Sequence, residues 1–178
     1  DAAETIKEVT LELGGKSPFI VFDDADLNNA VSGAMLANFY TQGEICTNGT
    51  RVFVQSGVYD EFLAQAKQRA ESIKIGDPMD LDTQMGALIS AKHFETVMGY
   101  IDQAKATSAR LVCGGNRVNS DETRDGFFVE PTIFADCEDS MTHVREEIFG
   151  PVMSVLRFED ESEVIGRAND TDFGLAAG

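Results

Sequence analysis

From residue 6 to residue 13 apolar and polar positions alternate, the period-two pattern of a half-buried strand. After the turn-forming pair Gly14-Gly15, the segment "SPFIVF" at 17–22 is apolar almost without a break, as in a strand covered on both faces. The spacing then becomes helical. Leu27, Val31, Ala34, Met35 and Phe39 share one side of a helix predicted over 25–42, with Asp24 as its cap and Gly43 as its stop. Small residues at Ala30, Gly33 and Ala37 predict close packing along that helix.

The alternation continues beyond it. A strand is predicted at 50–55, an amphipathic helix at 58–75 ended by "GDP", and a third helix from Ser90 to about residue 109. Then come a short strand "RLVCGG", a polar loop through Gly126, a strand-like "FFVEPTIF" at 127–134, the strand "PVMSVLRF" at 151–158 and a short helix from Glu161. Strands and helices taking turns in this way indicate a layered α/β domain on a largely parallel sheet. Neither an internal repeat nor a low-complexity linker interrupts the 178 residues, and one domain is the default for this length. The start without methionine and the unfinished apolar run at "DFGLAAG" read as a piece of a longer chain.

Charge narrows the partners. Fourteen basic residues against thirty-one acidic ones give a formal charge of -17, without any Lys/Arg cluster to meet a phosphate backbone. Nucleic acid and anionic membrane are therefore not expected partners, and the acidic segments read as solvated surface. No apolar run reaches the ~18 residues that span a bilayer. Cys46, Cys113 and Cys137 are odd in number and far apart, with no CxxC pair and no histidine at ligand spacing. That pattern fits a reducing, cytoplasmic setting and predicts no metal site.

Three segments carry candidate chemistry. Cys113 and Cys137 read as packing residues, but Cys46 lies in "TQGEICTNGT", whose Gly, Asn and Thr residues suit a turn that could present sulfur and free backbone N–H groups to a ligand. In "LELGGK", Glu12 is either an exposed strand residue or a partly desolvated base; alternation against Leu11 and Leu13 favours exposure. In "REEIFGPV", Glu146, Glu147 and Phe149 form either an acidic turn with an anchoring ring or a site for a sugar hydroxyl pair and a flat heterocycle. His93 and His143 open a further alternative, a Cys/His hydrolase, although His93 reads as mid-helix and solvated.

Together "VTLELGGKSP", "GEICTNGTRV", "REEIFGPV" and "NDTDFGLAAG" resemble the aldehyde dehydrogenase superfamily in order and spacing, over nearly the whole chain. Cys46 follows Glu12 by 34 residues, and the Glu-Ile-Phe-Gly-Pro motif lies about 100 residues further on. The resemblance implies a layered αβα catalytic domain on a mostly parallel sheet, here truncated. Residues 1–15 would close an incomplete NAD-binding domain, and 16–178 would form a catalytic domain incomplete at its C-terminus.

The same resemblance implies NAD(P)-dependent oxidation of a small-molecule aldehyde to a carboxylic acid through a thiohemiacetal and a thioester. Cys46 would be the nucleophile, and Glu12 would activate the hydrolytic water. Glu147 would bind the nicotinamide-ribose hydroxyls, Phe149 would pack beside the nicotinamide, and Leu13 would touch the carboxamide through its backbone. The complete protein would be a dimer or tetramer, and the isolated piece inactive. Within the superfamily the motifs look most like the betaine aldehyde dehydrogenases, with the aminoaldehyde dehydrogenases as the alternative; an inert α/β binding module is the reading from another class. No tryptophan is present for an aromatic box, which that family draws from segments beyond these. Glu44 stands where the family usually has glutamine, and a carboxylate close to the sulfur would oppose thiolate formation.

Overall fold

The computed structural model describes residues 2–120, 123 and 125–178. Among these residues five strands form one sheet: β1 (Pro18–Val21), β2 (Arg51–Gln55), β3 (Arg110–Cys113), β4 (Thr132–Ala135) and β5 (Val152–Phe158). Among the described residues five α-helices accompany them: α1 (Leu27–Phe39), α2 (Tyr59–Glu71), α3 (Ala91–Lys105), the single turn α4 (Thr142–Arg145) and α5 (Glu161–Asn169). The strand order is β1-β2-β5-β4-β3, with every neighbouring pair parallel except the antiparallel edge pair β4/β3. The predicted α/β fold on a mostly parallel sheet is the observed one.

The unbroken apolar runs follow from burial on both sides. Val52 and Val54 of β2, Ile133 and Ala135 of β4, and Met153 and Val155 of β5 face α1 and α2, joining Val31, Ala34, Phe62 and Ala66. The intervening Phe53, Phe134, Val152, Leu156 and Phe158 face the other way and pack with Val97 and Ile101 of α3 and Val164 of α5. Successive strand residues point to opposite faces, so a strand between two helical layers must be apolar at both parities. Removing each of these phenylalanine side chains from water stabilises the fold by about 1.5–3 kcal/mol.

Several boundaries differ from the sequence expectation, each for a local reason. Residues 7–17 form no strand; Val9, Leu11 and Leu13 are exposed, since no described strand pairs with this segment to satisfy its backbone. Helix α1 starts later than predicted because Asp26, not Asp24, is its N-cap, accepting the Asn29 N–H at 3.1 Å. It ends at Phe39, where a 3₁₀ turn (Tyr40–Gly43) carries Thr41 and Gln42 with positive φ. Helix α2 stops at Glu71, short of the predicted residue 75, and Ile75 instead bridges Met85. In α3 the predicted first residue, Ser90, is the cap, its hydroxyl accepting from the His93 N–H at 3.2 Å, and the helix ends at Lys105. Only the second half of "FFVEPTIF" is strand, after Pro131, which has no N–H to give a ladder; part of the polar loop before it lies outside the described residues.

Asp26→Ala is expected to lower unfolding free energy by about 1 kcal/mol in urea titrations, whereas Asp24→Ala should leave it within about 0.5 kcal/mol. Equal losses from the two variants would show that the cap is assigned to the wrong residue.

Candidate active site

Each of the three motif loops runs directly into a strand: Gly14-Gly15 into β1, the Cys46 turn into β2, and "EEIFGP" into β5. Because these three strands are parallel neighbours, in register through Pro18, Arg51 and Ser154, their leading loops meet at one end of the sheet. An open cleft of about 500 Å³ forms there. Its walls are Glu12, Leu13 and Gly14 from the first motif, Glu44, Ile45 and Cys46 from the second, and Glu147 and Phe149 from the third. All five site residues predicted from the sequence therefore line a single cleft.

The loops touch through their backbones. A Cβ added at Gly15 would lie 2.2 Å from the Cys46 carbonyl oxygen, and one at Gly43 would lie 2.3 Å from the Gly150 carbonyl oxygen. Gly43 also has φ of +75°, a conformation that side chains disfavour. No other residue type fits at these two contacts without moving a loop. From behind, the buried Asn38 of α1 donates its amide to the Ala34 carbonyl at 2.9 Å and to the Gly49 carbonyl at 3.2 Å, fixing the far side of the Cys46 turn. Buried Arg51 donates to the carbonyls of Lys16 at 2.8 Å and Ala168 at 2.8 Å, joining the first motif to the C-terminal end of α5, where the helix dipole favours a cation. The sequence reading missed Asn38 and Arg51; a polar residue inside an apolar helix face and an arginine opening a buried strand were the available signals.

Cys46 is a free, partly exposed thiol in a turn closed by the Asn48 N–H bonding the Ile45 carbonyl at 3.2 Å. Among the described residues its own N–H has no hydrogen-bond partner. Glu12 is exposed and also borders the cleft, so the two readings weighed from the sequence coincide in part. The paired glutamates separate in space. Glu146 accepts from the Tyr100 hydroxyl at 2.6 Å, and this bond, with burial adding to it, pushes the phenol up to about 12. Glu147 turns inward: one oxygen accepts the Gly15 N–H at 2.9 Å, a contact spanning 132 residues of chain, and the other approaches Gly14. Phe149, at the rim, has φ of +57°, which is strained for a non-glycine residue. Lys16 of the first motif is buried, its Nζ without a hydrogen-bond partner; desolvation, reinforced by the charge of Arg51, pulls its pKa down to about 7.

Neither histidine approaches the geometry of a Cys/His hydrolase around Cys46. His143 lies 3.5 Å from the sulfur of Cys137, within the sheet–helix core. Burial pushes the Cys137 thiol up to about 12 and the His143 imidazole down to about 4, so the pair is neutral and inert. His93 sits in the first turn of α3 rather than mid-helix. It is only 20% exposed, its Nε2 lying 2.6 Å from the Phe149 carbonyl oxygen and 3.5 Å from Glu44 Oε1. The solvated assignment for His93 is thus corrected: its ring is drawn from solvent by the Phe149 carbonyl and the Glu44 carboxylate. Glu44 directs its carboxylate toward His93 and the Ile89 N–H, which it accepts at 3.3 Å.

Among the described residues no group of three or more His, Cys, Asp and Glu could hold a metal ion, and no helix is long and apolar enough to cross a membrane.

Gly15→Ala should destabilise the chain by roughly 1–3 kcal/mol in urea titration, because its methyl group displaces the Cys46 carbonyl; an unchanged midpoint would show that the loops do not touch there. For His143 the pH dependence has a definite sign. The unfolded chain takes up a proton near pH 6.5 and the folded one only near pH 4, so stability falls as pH drops through that window. His143→Phe is expected to flatten this acid limb of the Tm-against-pH curve.

Known proteins share this arrangement. The model of the aldehyde dehydrogenase family matches residues 1–178. The betaine aldehyde dehydrogenase of Vibrio vulnificus is 60% identical over 178 residues, and that of one Cereibacter sphaeroides strain is 59% identical over 177. The chain spans 37% of the length of the first of these relatives and 36% of the second. Among solved structures, the betaine aldehyde dehydrogenase of Staphylococcus aureus in complex with NAD+ superposes with a TM-score of 0.94 at 43% identity, over 99% of this chain and 35% of that one. A point mutant of the aldehyde dehydrogenase from Bacillus cereus gives 0.93 at 47% identity, again over 99% of this chain and 35% of the other. With the Cys46 turn, the glutamate loop and the Phe-Gly-Pro loop joined in one cleft and the family model matched from end to end, this chain belongs to the aldehyde dehydrogenase family.

Proposed function

We propose that this chain is the nucleophile-bearing part of an NAD(P)-dependent aldehyde dehydrogenase that converts betaine aldehyde to glycine betaine. The observation that carries the reading is the single cleft in which a free thiol, three carboxylates and an aromatic ring converge from three distant loops. The identity of about 60% to betaine aldehyde dehydrogenases supports the substrate. In this reading residues 1–15 close the cofactor domain and 16–178 belong to the catalytic domain. The exposed Val9, Leu11 and Leu13 would be covered in a longer polypeptide, itself a dimer or tetramer. Three unpaired thiols fit a reducing cytoplasm.

The residues fit a nicotinamide cofactor. Glu147 is held by the Gly15 N–H through one oxygen, which leaves carboxylate lone pairs for a ribose hydroxyl, and the partly exposed Phe149 ring offers a flat wall at the same rim. Leu13, between Glu12 and Gly14, would contribute backbone contact. NAD or NADP, when bound, supplies the acceptor for a hydride.

The chemistry at this chain's own residues then runs as follows. The Cys46 thiolate adds to the aldehyde carbonyl carbon, forming a C–S bond and an oxyanion, toward which the unpartnered Cys46 N–H is available as donor. Departure of the carbon's hydrogen as hydride re-forms the C=O bond and leaves a thioester on Cys46. Glu12 takes a proton from a water molecule as the water oxygen attacks the thioester carbon. The C–S bond breaks, the acid is released and Cys46 regains its thiolate.

In the full-length protein carrying this chain, NADH should form from betaine aldehyde in preference to a simple aliphatic aldehyde, and Cys46→Ala should lower kcat by at least about 10³-fold. The isolated chain, assayed in parallel, should form no NADH. Residual full activity in the Cys46 variant would remove the nucleophile assignment, and preference for the aliphatic aldehyde would move the substrate to another branch of the family.

A further inference from the structure

The Cys46 turn and the Phe149 turn are joined by a polar contact that the reaction scheme leaves without a role. Nε2 of His93 lies 2.6 Å from the Phe149 carbonyl oxygen and 3.5 Å from Glu44 Oε1. Both of these atoms are acceptors, so this nitrogen must carry a proton in either the neutral or the charged ring. His93 is held from its own side: its backbone N–H bonds the Ser90 hydroxyl, which fixes it in the first turn of α3. Glu44 is held as well, accepting the Ile89 N–H at 3.3 Å, and its side chain is 14% exposed. The rings of His93 and Phe149 lie edge-on with centroids 6.2 Å apart.

Two features make this bridge more than a surface ion pair. It caps the carbonyl of a residue whose φ of +57° needs outside support to persist. It also starts two residues from Cys46, at a position lining the same cleft as Cys46 and Phe149. We propose that Glu44 and His93 form a positioning pair: His93, oriented by Glu44, donates to the Phe149 carbonyl and so sets the Phe149 ring, and the cofactor headgroup packed on it, relative to the Cys46 sulfur. Neither residue is catalytic; they act through Phe149 and the loop of Cys46. The inference rests on the cleft being an aldehyde dehydrogenase site. Poor alignment of donor carbon and acceptor ring slows hydride transfer steeply, so the pair should govern kcat more than aldehyde binding.

The test uses the full-length protein, with NAD affinity by calorimetry, steady-state kinetics, and the rate of Cys46 alkylation by iodoacetamide in the absence of NAD. His93→Leu removes the donor and is expected to lower kcat or weaken NAD binding by about tenfold, with KM for the aldehyde nearly unchanged. His93→Gln keeps an N–H donor of similar reach and should recover all but about threefold of the loss. Glu44→Gln should cost about threefold alone and add nothing in the His93→Leu background, because the pair acts as a unit. Cys46 alkylation should remain within about twofold of the parent in each variant, which shows that the nucleophile turn has kept its shape.

Equal losses in His93→Gln and His93→Leu, or additive losses from the two positions, would overturn the positioning role. So would an unchanged kcat and NAD affinity in His93→Leu while the parent binds NAD and turns over. Failure of the parent itself to bind NAD would instead overturn the functional reading on which the inference stands.

Discussion

Parallel pairing of β1, β2 and β5 is the constraint from which the rest follows. A parallel neighbour begins at the same end of the sheet, so the segment leading into each of these strands is delivered to the same place. Sulfur, carboxylates and aromatic ring reach one cleft because each sits just ahead of a strand, however far apart the strands are in sequence. This puts the cleft at the amino ends of the strands, whereas most open α/β sheets bind ligands beyond the carboxyl ends. The described walls are side chains and turn backbone from the three leading loops.

The second layer of control is contact between backbones. Gly15 against the Cys46 carbonyl and Gly43 against the Gly150 carbonyl hold the three loops at distances that a single methyl group would violate. Close approach through glycine leaves no side chain to rotate, so the geometry is set by main chain, which the sheet itself holds rigid. Asn38 and Arg51 add hydrogen bonds from the helical layers, tying the same loops to α1 and to the end of α5. Flexible side chains then need to be oriented only locally, as Glu147 is by the Gly15 N–H.

Electrostatics divides the reactive groups by depth. In the core, desolvation keeps Cys137 and His143 neutral although they touch, which is why a Cys/His contact there has no nucleophilic consequence. At the cleft, Cys46 is partly exposed and Glu12 exposed. Three of the thirty-one acidic residues, Glu12, Glu44 and Glu147, line the cleft, and the others lie elsewhere along the chain.

Much of this was legible in one dimension. Apolar runs without alternation announced strands buried on both faces, glycine-rich turns announced loops, and the order and spacing of four motifs carried the family and singled out Cys46, Glu12, Glu147, Phe149 and Leu13, which the fold gathers at one cleft. The sequence could not show that 6–13 would stay irregular, since a strand exists only with a neighbour to take its hydrogen bonds and alternation says nothing about that neighbour. Nor could it show that Glu146 turns to Tyr100 while Glu147 turns to Gly15, or that His93 leaves the solvent for the Phe149 carbonyl, because each depends on a partner more than 40 residues away. Local chemistry is written residue by residue, but which loops become neighbours is decided by strand order, and strand order is a property of the folded sheet alone.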